Sequence, residues 1–280
     1  MPIHPDSYEP YEGPRNTARP WWTVARQTFG TMLSWTRTKL TLLAVWILPA
    51  LALIGVIVEY SLRTSGTDLP VPEGQFVGTF ATYQTYAVAL VYLASGCGLV
   101  SHDIRYRTLP FVLSKPITRW DYLGGKLLGL SLLGALAAVV PTILVGALRL
   151  IMLATLDLAG GVLAPSFTAL GISVAAVGVT AAVVGAFSSL SGRTGLVVLG
   201  VIGAFVAPWI LSTILELATD MEAAGNLLSL HGAFSLIIDR WIYGEPTGLP
   251  AWSPFGVLAV LSGGGVAVVH WRLQRVGDIH

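Results

Sequence analysis

The sequence predicts an all-α membrane protein with six transmembrane helices, and three observations lead to that fold class. Hydrophobic residues make up 54% of the 280 residues and charged residues only 11%, whereas an ordinary soluble domain has about 25% charged residues. The mean hydropathy is +0.72. Six apolar runs each approach the roughly 20 residues that a membrane-spanning helix needs. The single cysteine, Cys97, excludes an internal disulfide and a cysteine-based metal cluster.

The six predicted spans and their orientation follow from the apolar runs and the basic residues. The spans cover residues 40–58, 82–100, 122–151, 166–190, 196–217 and 253–271. Placing both termini in the cytoplasm leaves only Arg63, Arg149 and Arg240 of the 16 Lys and Arg residues outside. Basic residues near membrane spans remain on the cytoplasmic side. We therefore predict cytoplasmic N- and C-termini.

The N-terminal segment divides into a tail and a helix. Residues 1–18 are rich in proline and poor in aliphatic side chains, so we predict a disordered cytoplasmic tail. Residues 19–39 interleave three tryptophans with basic residues, which is typical of a helix lying at the inner membrane interface. Such a helix is either a plain anchor or a functional surface, and the residues leave both interpretations open.

The fourth span carries a glycine every seven residues. Small residues along one face allow two membrane helices to approach closely, so a helix-packing seam is the first interpretation, and a substrate path is the second. Pro49, Pro141 and Pro208 lie in the first, third and fifth spans, where each can kink its helix. The glycines of the predicted seam are Gly171, Gly178, Gly185 and Gly192.

Residues 226–244 form an apolar segment on the predicted outer side that is too short and too interrupted to span the membrane. His231, Gly232 and the Asp239–Arg240 pair break the apolar run. We predict a re-entrant or surface-lying helical hairpin before the sixth span.

The chain carries none of the common catalytic motifs. Trp120 stands where a P-loop ending at Gly125-Lys126 would need its first glycine, and Leu127 follows in place of Ser or Thr. The glycines of 261–265 resemble an ATPase signature but lie inside the sixth span, where small residues favour helix packing. The histidines are terminal, interfacial or external. We therefore predict no catalytic residue, no metal site and no bound cofactor, and hence no enzyme in this chain alone.

The segment 101–126 stands out because it is charged, contains prolines and lies between two long apolar runs. Leu109, Phe111, Val112 and Leu113 can form one apolar face of a short helix along the membrane, and Pro116 would end that helix. Thr118 is placed to cap the next helix, with Asp121 at its third position. We expect Arg119 and Lys126 to reach water or lipid phosphates. The basic residues of the segment are Arg105, Arg107, Lys115, Arg119 and Lys126.

The same residues resemble the intracellular coupling segment of ABC-2 type transporter permeases. That segment runs from an acidic residue through Gly-Thr-Leu, a leucine-rich turn, a small residue and Pro to Arg, an aromatic residue and Gly-Lys. Two positions depart from it: Arg107 replaces the usual glycine, and Arg105 replaces a residue that is often acidic. The chain looks most like the permeases grouped with the exporter for nitrous oxide reductase maturation. The resemblance assigns ATPase coupling to Asp103, Thr108, Leu109, Leu113, Ser114, Pro116, Arg119 and Lys126.

The resemblance implies a transmembrane domain over residues 19–280, with its coupling segment at 101–121. It also implies a separate ATPase subunit that binds ATP and Mg, and a second copy of the chain or a homologous permease. An ABC exporter subunit in the cytoplasmic membrane of a prokaryote is the expected function. A non-transporting scaffold for the ATPase is one alternative. A secondary transporter is the other, which the scarcity of mid-membrane charges disfavours.

The substrate is expected to be hydrophobic or amphipathic. The spans offer mainly aliphatic and small side chains, and a charged solute at mid-membrane would need paired charges or an aqueous cavity. No feature of the sequence predicts nucleic-acid binding.

Overall fold

The computed structural model describes residues 19–66, 74–108, 117–154, 159–219 and 225–277, and within these ranges every regular element is helical. We call the side that the predicted topology makes cytoplasmic the inner side. The helices are α1 (Pro20–Ser34), α2 (Thr36–Thr64), α3 (Gln75–Ser95), α4 (Ser101–Arg105), α5 (Arg119–Gly134), α6 (Val140–Ala154), α7 (Ala159–Leu190), α8 (Thr194–Thr219), α9 (Leu230–Ile238) and α10 (Ser253–Gly277).

Among the described residues, six helical stretches are long and apolar enough to cross a membrane, which confirms the predicted number. Two of them are compound. Span 2 continues from α3 through a 3₁₀ turn at Gly96–Gly98 into α4, and span 3 joins α5 to α6 through a π-helix at Ala135–Val139. The stretches are Thr36–Thr64, Gln75–Arg105, Arg119–Ala154, Gly161–Leu190, Thr194–Ala218 and Ser253–Arg275, numbered spans 1 to 6.

Spans 2, 3 and 4 form the centre of the bundle. In their most apolar windows, 61%, 50% and 56% of the residues are buried, against 22%, 17% and 22% for spans 1, 5 and 6. The largest core cluster joins side chains of these central spans, including Val88, Leu133 and Val184, all fully buried. The outward faces of spans 1, 5 and 6 are therefore apolar surface available to lipid or to another protein.

A helix within the predicted segment 19–39 is present as α1, and it packs on span 3; its position at the membrane interface stays a prediction. The helix ends at Ser34, and Trp35 separates it from span 1 in extended backbone. The contact is close because α5 presents two glycines four residues apart. A Cβ on Gly125 would lie 2.6 Å from the Trp21 carbonyl oxygen, and one on Gly129 would lie 2.7 Å from the Ala25 carbonyl oxygen. This is the small-residue spacing that brings membrane helices together.

The external segment before span 6 is helical. Between residues 225 and 244 the principal element is one helix, formed by α9 and a π-turn at Asp239–Tyr243. Ser229 caps its start by accepting from the Gly232 amide at 2.9 Å, and Gly244 ends it at a φ of +74°. Residues 225 and 226 are also helical, and a turn at 227–229 separates them from α9. The preceding residues lie outside the described ranges, so the predicted hairpin stays a prediction. The apolar face of α9 packs on the outer parts of spans 2, 4 and 6.

The glycine repeat of span 4 forms a close contact within the chain only toward its inner end. A Cβ on Gly185 would lie 2.8 Å from Leu127, and one on Gly192 would lie 3.6 Å from the Arg105 backbone, whereas Gly171 and Gly178 are exposed and have no neighbour within 4 Å of that position. A seven-residue repeat drifts by about 20° per heptad on a straight helix, so the outer glycines turn away from the contact. Packing at Gly171 and Gly178 remains a prediction.

Span 6 approaches span 4 through one of the glycines that resemble an ATPase signature. A Cβ on Gly265 would lie 2.7 Å from the Ala182 carbonyl oxygen. This contact supports the helix-packing interpretation of that sequence.

The contact between α1 and span 3 gives a matched pair of variants. Gly125→Leu should destabilise the fold by about 1–3 kcal/mol, the usual range for overpacking, because the new side chain meets the Trp21 backbone. Gly124→Leu is the control, since a Cβ there has no neighbour within 4 Å and the change in helix propensity is the same. Thermal unfolding in detergent, with amide exchange over residues 20–34, measures the difference. Equal stability of the two variants would show that α1 does not depend on this contact.

Candidate functional site

The inner end of span 2 is held in place by span 4. The 3₁₀ turn at Gly96–Gly98 interrupts the helical hydrogen bonding, and the Ser188 hydroxyl of α7 compensates. It accepts from the Val100 and Ser101 amides at 2.8 and 3.1 Å and donates to the Cys97 carbonyl at 3.1 Å. Because buried backbone groups need partners, this hydroxyl fixes where α4 begins.

Asp103 connects α4 to span 3. Its carboxylate lies 2.8 Å from the Lys126 ammonium and accepts hydrogen bonds from the Tyr122 and Thr108 hydroxyls. Lys126 also donates to the Leu99 carbonyl at 3.1 Å. The Asp103 and Lys126 side chains are only 21% and 18% exposed, so each charge depends on the other more than a surface pair would.

The expectation that Lys126 reaches water or lipid phosphates is therefore wrong. Its position on α5 directs it toward α4, where the Asp103 carboxylate and the Leu99 carbonyl surround the ammonium. We call Asp103, Thr108, Tyr122 and Lys126 the inner anchor.

The turn that follows α4 keeps the backbone shape that the family glycine would favour. Arg107 has a φ of +53°, in the left-handed region. The Thr108 amide donates to the Asp103 carbonyl at 3.1 Å, and the Arg107 amide donates to the Ile104 carbonyl at 3.3 Å, which is a Schellman ending. Arg107 in place of the family's usual glycine therefore leaves the turn intact, although a side chain at this positive φ adds some backbone strain.

The return of the chain into span 3 begins as predicted. The Thr118 hydroxyl accepts from the Asp121 amide at 3.0 Å, and the Asp121 carboxylate accepts from the Thr118 amide at 3.1 Å. This capping box starts α5 at Arg119. Between the two fixed points, the predicted coupling residues Leu109, Leu113, Ser114 and Pro116 lie outside the described residues.

Aromatic contacts join the surroundings of the inner anchor to other helices. Trp120 is exposed at the start of α5 and stacks on His270 of span 6, with 4.2 Å between ring centroids. The His102 ring of α4 lies edge-on to the Trp35 ring, between α1 and span 1, with 6.0 Å between the ring centroids. The inner ends of spans 1, 2, 3 and 6 thus meet around the inner anchor.

A second ion pair lies toward the outer ends of spans 1 and 3. The Arg149 guanidinium binds Glu59 through two hydrogen bonds of 3.2 and 3.0 Å, and Arg149 is only 1% exposed. Arg63 contacts the same carboxylate at 3.2 Å. The predicted topology placed Arg149 outside without giving it a partner. The opposite charges of Glu59 and Arg149 at similar depth could have predicted this ion pair.

An apolar cleft of about 450 Å³ lies between span 2, span 5 and α9. At one side the Tyr86 hydroxyl lies 2.6 Å from His231 Nε2, and the Thr85 hydroxyl lies 3.5 Å from Nδ1. Thr85 donates to the Thr82 carbonyl, so it is an acceptor toward Nδ1–H, and Nε2 is then free to accept from Tyr86. The remaining lining is mostly aliphatic and aromatic, including Leu90, Leu93, Ile202, Phe205, Val206, Trp209 and Phe234.

The fold and the inner anchor together define a multi-pass membrane protein in which the inner ends of spans 2 and 3 are tied to each other. A family model described as ABC-2 family transporter protein matches residues 22–276. The chain belongs to the ABC-2 transporter family and is a permease of an ABC transporter, a class that generally works with an ABC ATPase. A comparison with curated proteins finds no match, so the likeness to nitrous oxide reductase maturation permeases remains a prediction.

The contact between His231 and Tyr86 predicts a pH dependence. Burial lowers the pKa of His231 below its usual value of about 6.5, so the folded state favours the neutral ring. The stabilisation is complete above the unfolded-state pKa and declines as the pH falls through it toward the folded-state pKa. Amide exchange over residues 230–238, corrected for intrinsic rates, should therefore show weaker protection at about pH 5 than at about pH 7.5.

His231→Phe provides the control, because it keeps a ring against Tyr86 and cannot titrate. The change in protection with pH should be absent in this variant. An identical pH response in both proteins would contradict a role for His231.

Proposed function

We propose that this chain is the transmembrane subunit of an ABC exporter in the cytoplasmic membrane of a prokaryote. A separate ATPase docks on the inner segment 101–126 and on the exposed face of α1. Two permease subunits pair in the membrane, either two copies of this chain or this chain and a homologous permease. ATP binding and hydrolysis by the partners then move a hydrophobic or amphipathic substrate outward.

The inner anchor is the observation that supports coupling most strongly. The described residues on both sides of the predicted coupling segment belong to the bundle: Asp103 and Thr108 before it, and Thr118, which caps α5, after it. Because Asp103 also holds Lys126, a displacement of the segment acts on spans 2 and 3 together. The close packing of α1 on Gly125 and Gly129 extends this unit to the helix before span 1.

The pairing of two permeases is supported by the apolar outer surfaces of spans 1 and 5. These spans contribute little to the core, and their exposed side chains are mainly aliphatic. Such faces suit contact with lipid and with the same surface of a second subunit. The exposed residues include Leu43, Ile47, Leu51, Ile54, Leu199, Val206, Ile210 and Ile214.

The substrate class is supported by the cleft between spans 2 and 5. No Asp, Glu, Lys or Arg side chain is among the residues that line it, and its polar groups are concentrated at Thr85, Tyr86 and His231. An apolar body with a small hydrogen-bonding group matches that lining, whereas a multiply charged solute would find no partner there.

Nucleotide chemistry is assigned to the partner. The sequence has no P-loop, so we propose that ATP and Mg bind to the ATPase subunit and that this chain alone is not an enzyme. A scaffold without transport is the alternative that also uses the inner anchor. The cleft favours the exporter, because a scaffold has no need of an apolar cavity within its spans. The scarcity of charged side chains at mid-membrane disfavours a secondary transporter.

Reconstitution in vesicles tests the proposal. The chain would be tagged, its ATPase isolated by co-purification, and the complex inserted into vesicles that contain a fluorescent short-chain phospholipid. We expect ATP-dependent movement of the lipid with the complex and no ATP hydrolysis by the permease alone. Retained ATPase binding without movement of any amphiphile would favour the scaffold. Stimulation only by a small hydrophilic ion would contradict the substrate class.

Variants of the inner anchor separate coupling from stability. Lys126→Met leaves Asp103 without its ammonium, so we expect a loss of about 1–3 kcal/mol in unfolding free energy. Adding Asp103→Asn should restore most of that stability, because no unpaired charge remains. Coupled ATPase activity should stay low in the double variant, since the ionic link is absent. Wild-type coupling in the double variant would show that the inner anchor does not transmit force. Lys39→Met, at an exposed position, is the control.

A further inference from the structure

We propose that span 3 consists of two helical halves that move relative to each other at a hinge at residues 135–141, and that the Trp46 side chain of span 1 holds this hinge in its present geometry. We call Trp46 the latch. The inference rests on the proposed function, because such a hinge is useful only where an ATPase moves the inner end. It adds a positioning residue in span 1 and a mechanical division of span 3 to that function.

The hinge arises from a change in hydrogen-bond register. The Val140 amide donates to the Ala135 carbonyl, five residues back, as in a π-helix. In the same register the next amide would serve the Leu136 carbonyl, but the next residue is Pro141, which has no N–H. The Leu136 carbonyl is therefore left without its helical donor near the middle of the 36-residue span.

Trp46 supplies the missing donor from another span. Its indole Nε1–H donates to the Leu136 carbonyl at 3.2 Å. A backbone carbonyl without a partner is costly in an apolar membrane. The indole thus stabilises the interrupted register, and it does so only when spans 1 and 3 have this relative position.

Other polar groups surround the same point. The Thr142 hydroxyl lies 2.8 Å from the Ala138 carbonyl and 2.9 Å from the Ser173 hydroxyl of span 4. On the other side, Gly134 has no side chain where the Tyr92 ring of span 2 approaches it. The weak point of span 3 therefore has polar contacts to spans 1 and 4 and a close ring contact to span 2.

The two halves of span 3 differ in their charged and closest contacts. The inner half, α5, is bound to α4 through Lys126 and to α1 through Gly125 and Gly129. The outer half, α6, is bound to span 1 through the pair of Arg149 and Glu59. A displacement of the inner half therefore has to be taken up between these attachments, where the register changes.

The experiment uses two variants with matched controls, in the full chain in lipid nanodiscs. Trp46→Phe keeps an aromatic ring and removes the donor. Amide exchange over residues 134–146 should become about fivefold faster, the factor that corresponds to one hydrogen bond of ordinary strength. Pro141→Ala restores an amide that can donate in the helix, so exchange there should become slower. Trp209→Phe and Pro208→Ala change the same residue types in span 5 and should leave this segment unaffected.

The complex with the ATPase supplies the second readout. Trp46→Phe and Pro141→Ala should both retain bound ATPase and lower the amount of lipid moved per ATP hydrolysed. Trp46→Phe removes the latch, and Pro141→Ala replaces the hinge with continuous helical hydrogen bonding. Unchanged exchange in Trp46→Phe, or unchanged transport per ATP in both variants, would overturn the inference. If even the wild-type chain binds no ATPase, the proposed function fails, whereas the exchange results still show whether the latch exists.

Discussion

The pairing of Asp103 with Lys126 is the interaction on which the inner half of the molecule depends. Lys126 lies on a membrane-spanning helix and is mostly covered, so its ammonium needs a carboxylate partner. Asp103 can reach it only because span 2 breaks at Gly96–Gly98 and restarts as α4 beneath Ser188. The same carboxylate holds Thr108 and Tyr122. One charge pair thus ties the inner end of span 2 to the inner end of span 3.

A second charge pair lies toward the outer end of span 3. Arg149 and Glu59 join spans 1 and 3 toward the outer side, whereas the inner part of span 3 carries α1 and α4. Both pairs use span 3, and the π-helix at Ala135–Val139 lies between them. In the proposed function, the ATPase would move the inner part of span 3 relative to the outer part.

The sequence predicted the features that depend on local patterns. Apolar runs predicted all six spans, and Thr118 with Asp121 predicted the capping box, because both rest on nearby residues. Longer-range features escaped it. The partner of Lys126 depends on where α4 points, the π-register at Pro141 depends on a donor from span 1, and the exposure of Gly178 depends on helix rotation. Gly125 and Gly129, four residues apart, could have predicted the close contact with α1, but Gly125 was interpreted only as part of the Gly-Lys motif.

The proposed coupling requires α1, α4 and α5 to move as one body relative to the outer half of span 3. Spin labels in a Cys97→Ala background would test it through distances in the complex with ATPase, before and after addition of ATP. The distance between labels at Gly30→Cys on α1 and Gly124→Cys on α5, both at open positions, should not change. The distance from Gly124→Cys to Ile151→Cys, at an exposed site on α6, should shift. A shift in the first distance, or constancy of the second, would contradict the account.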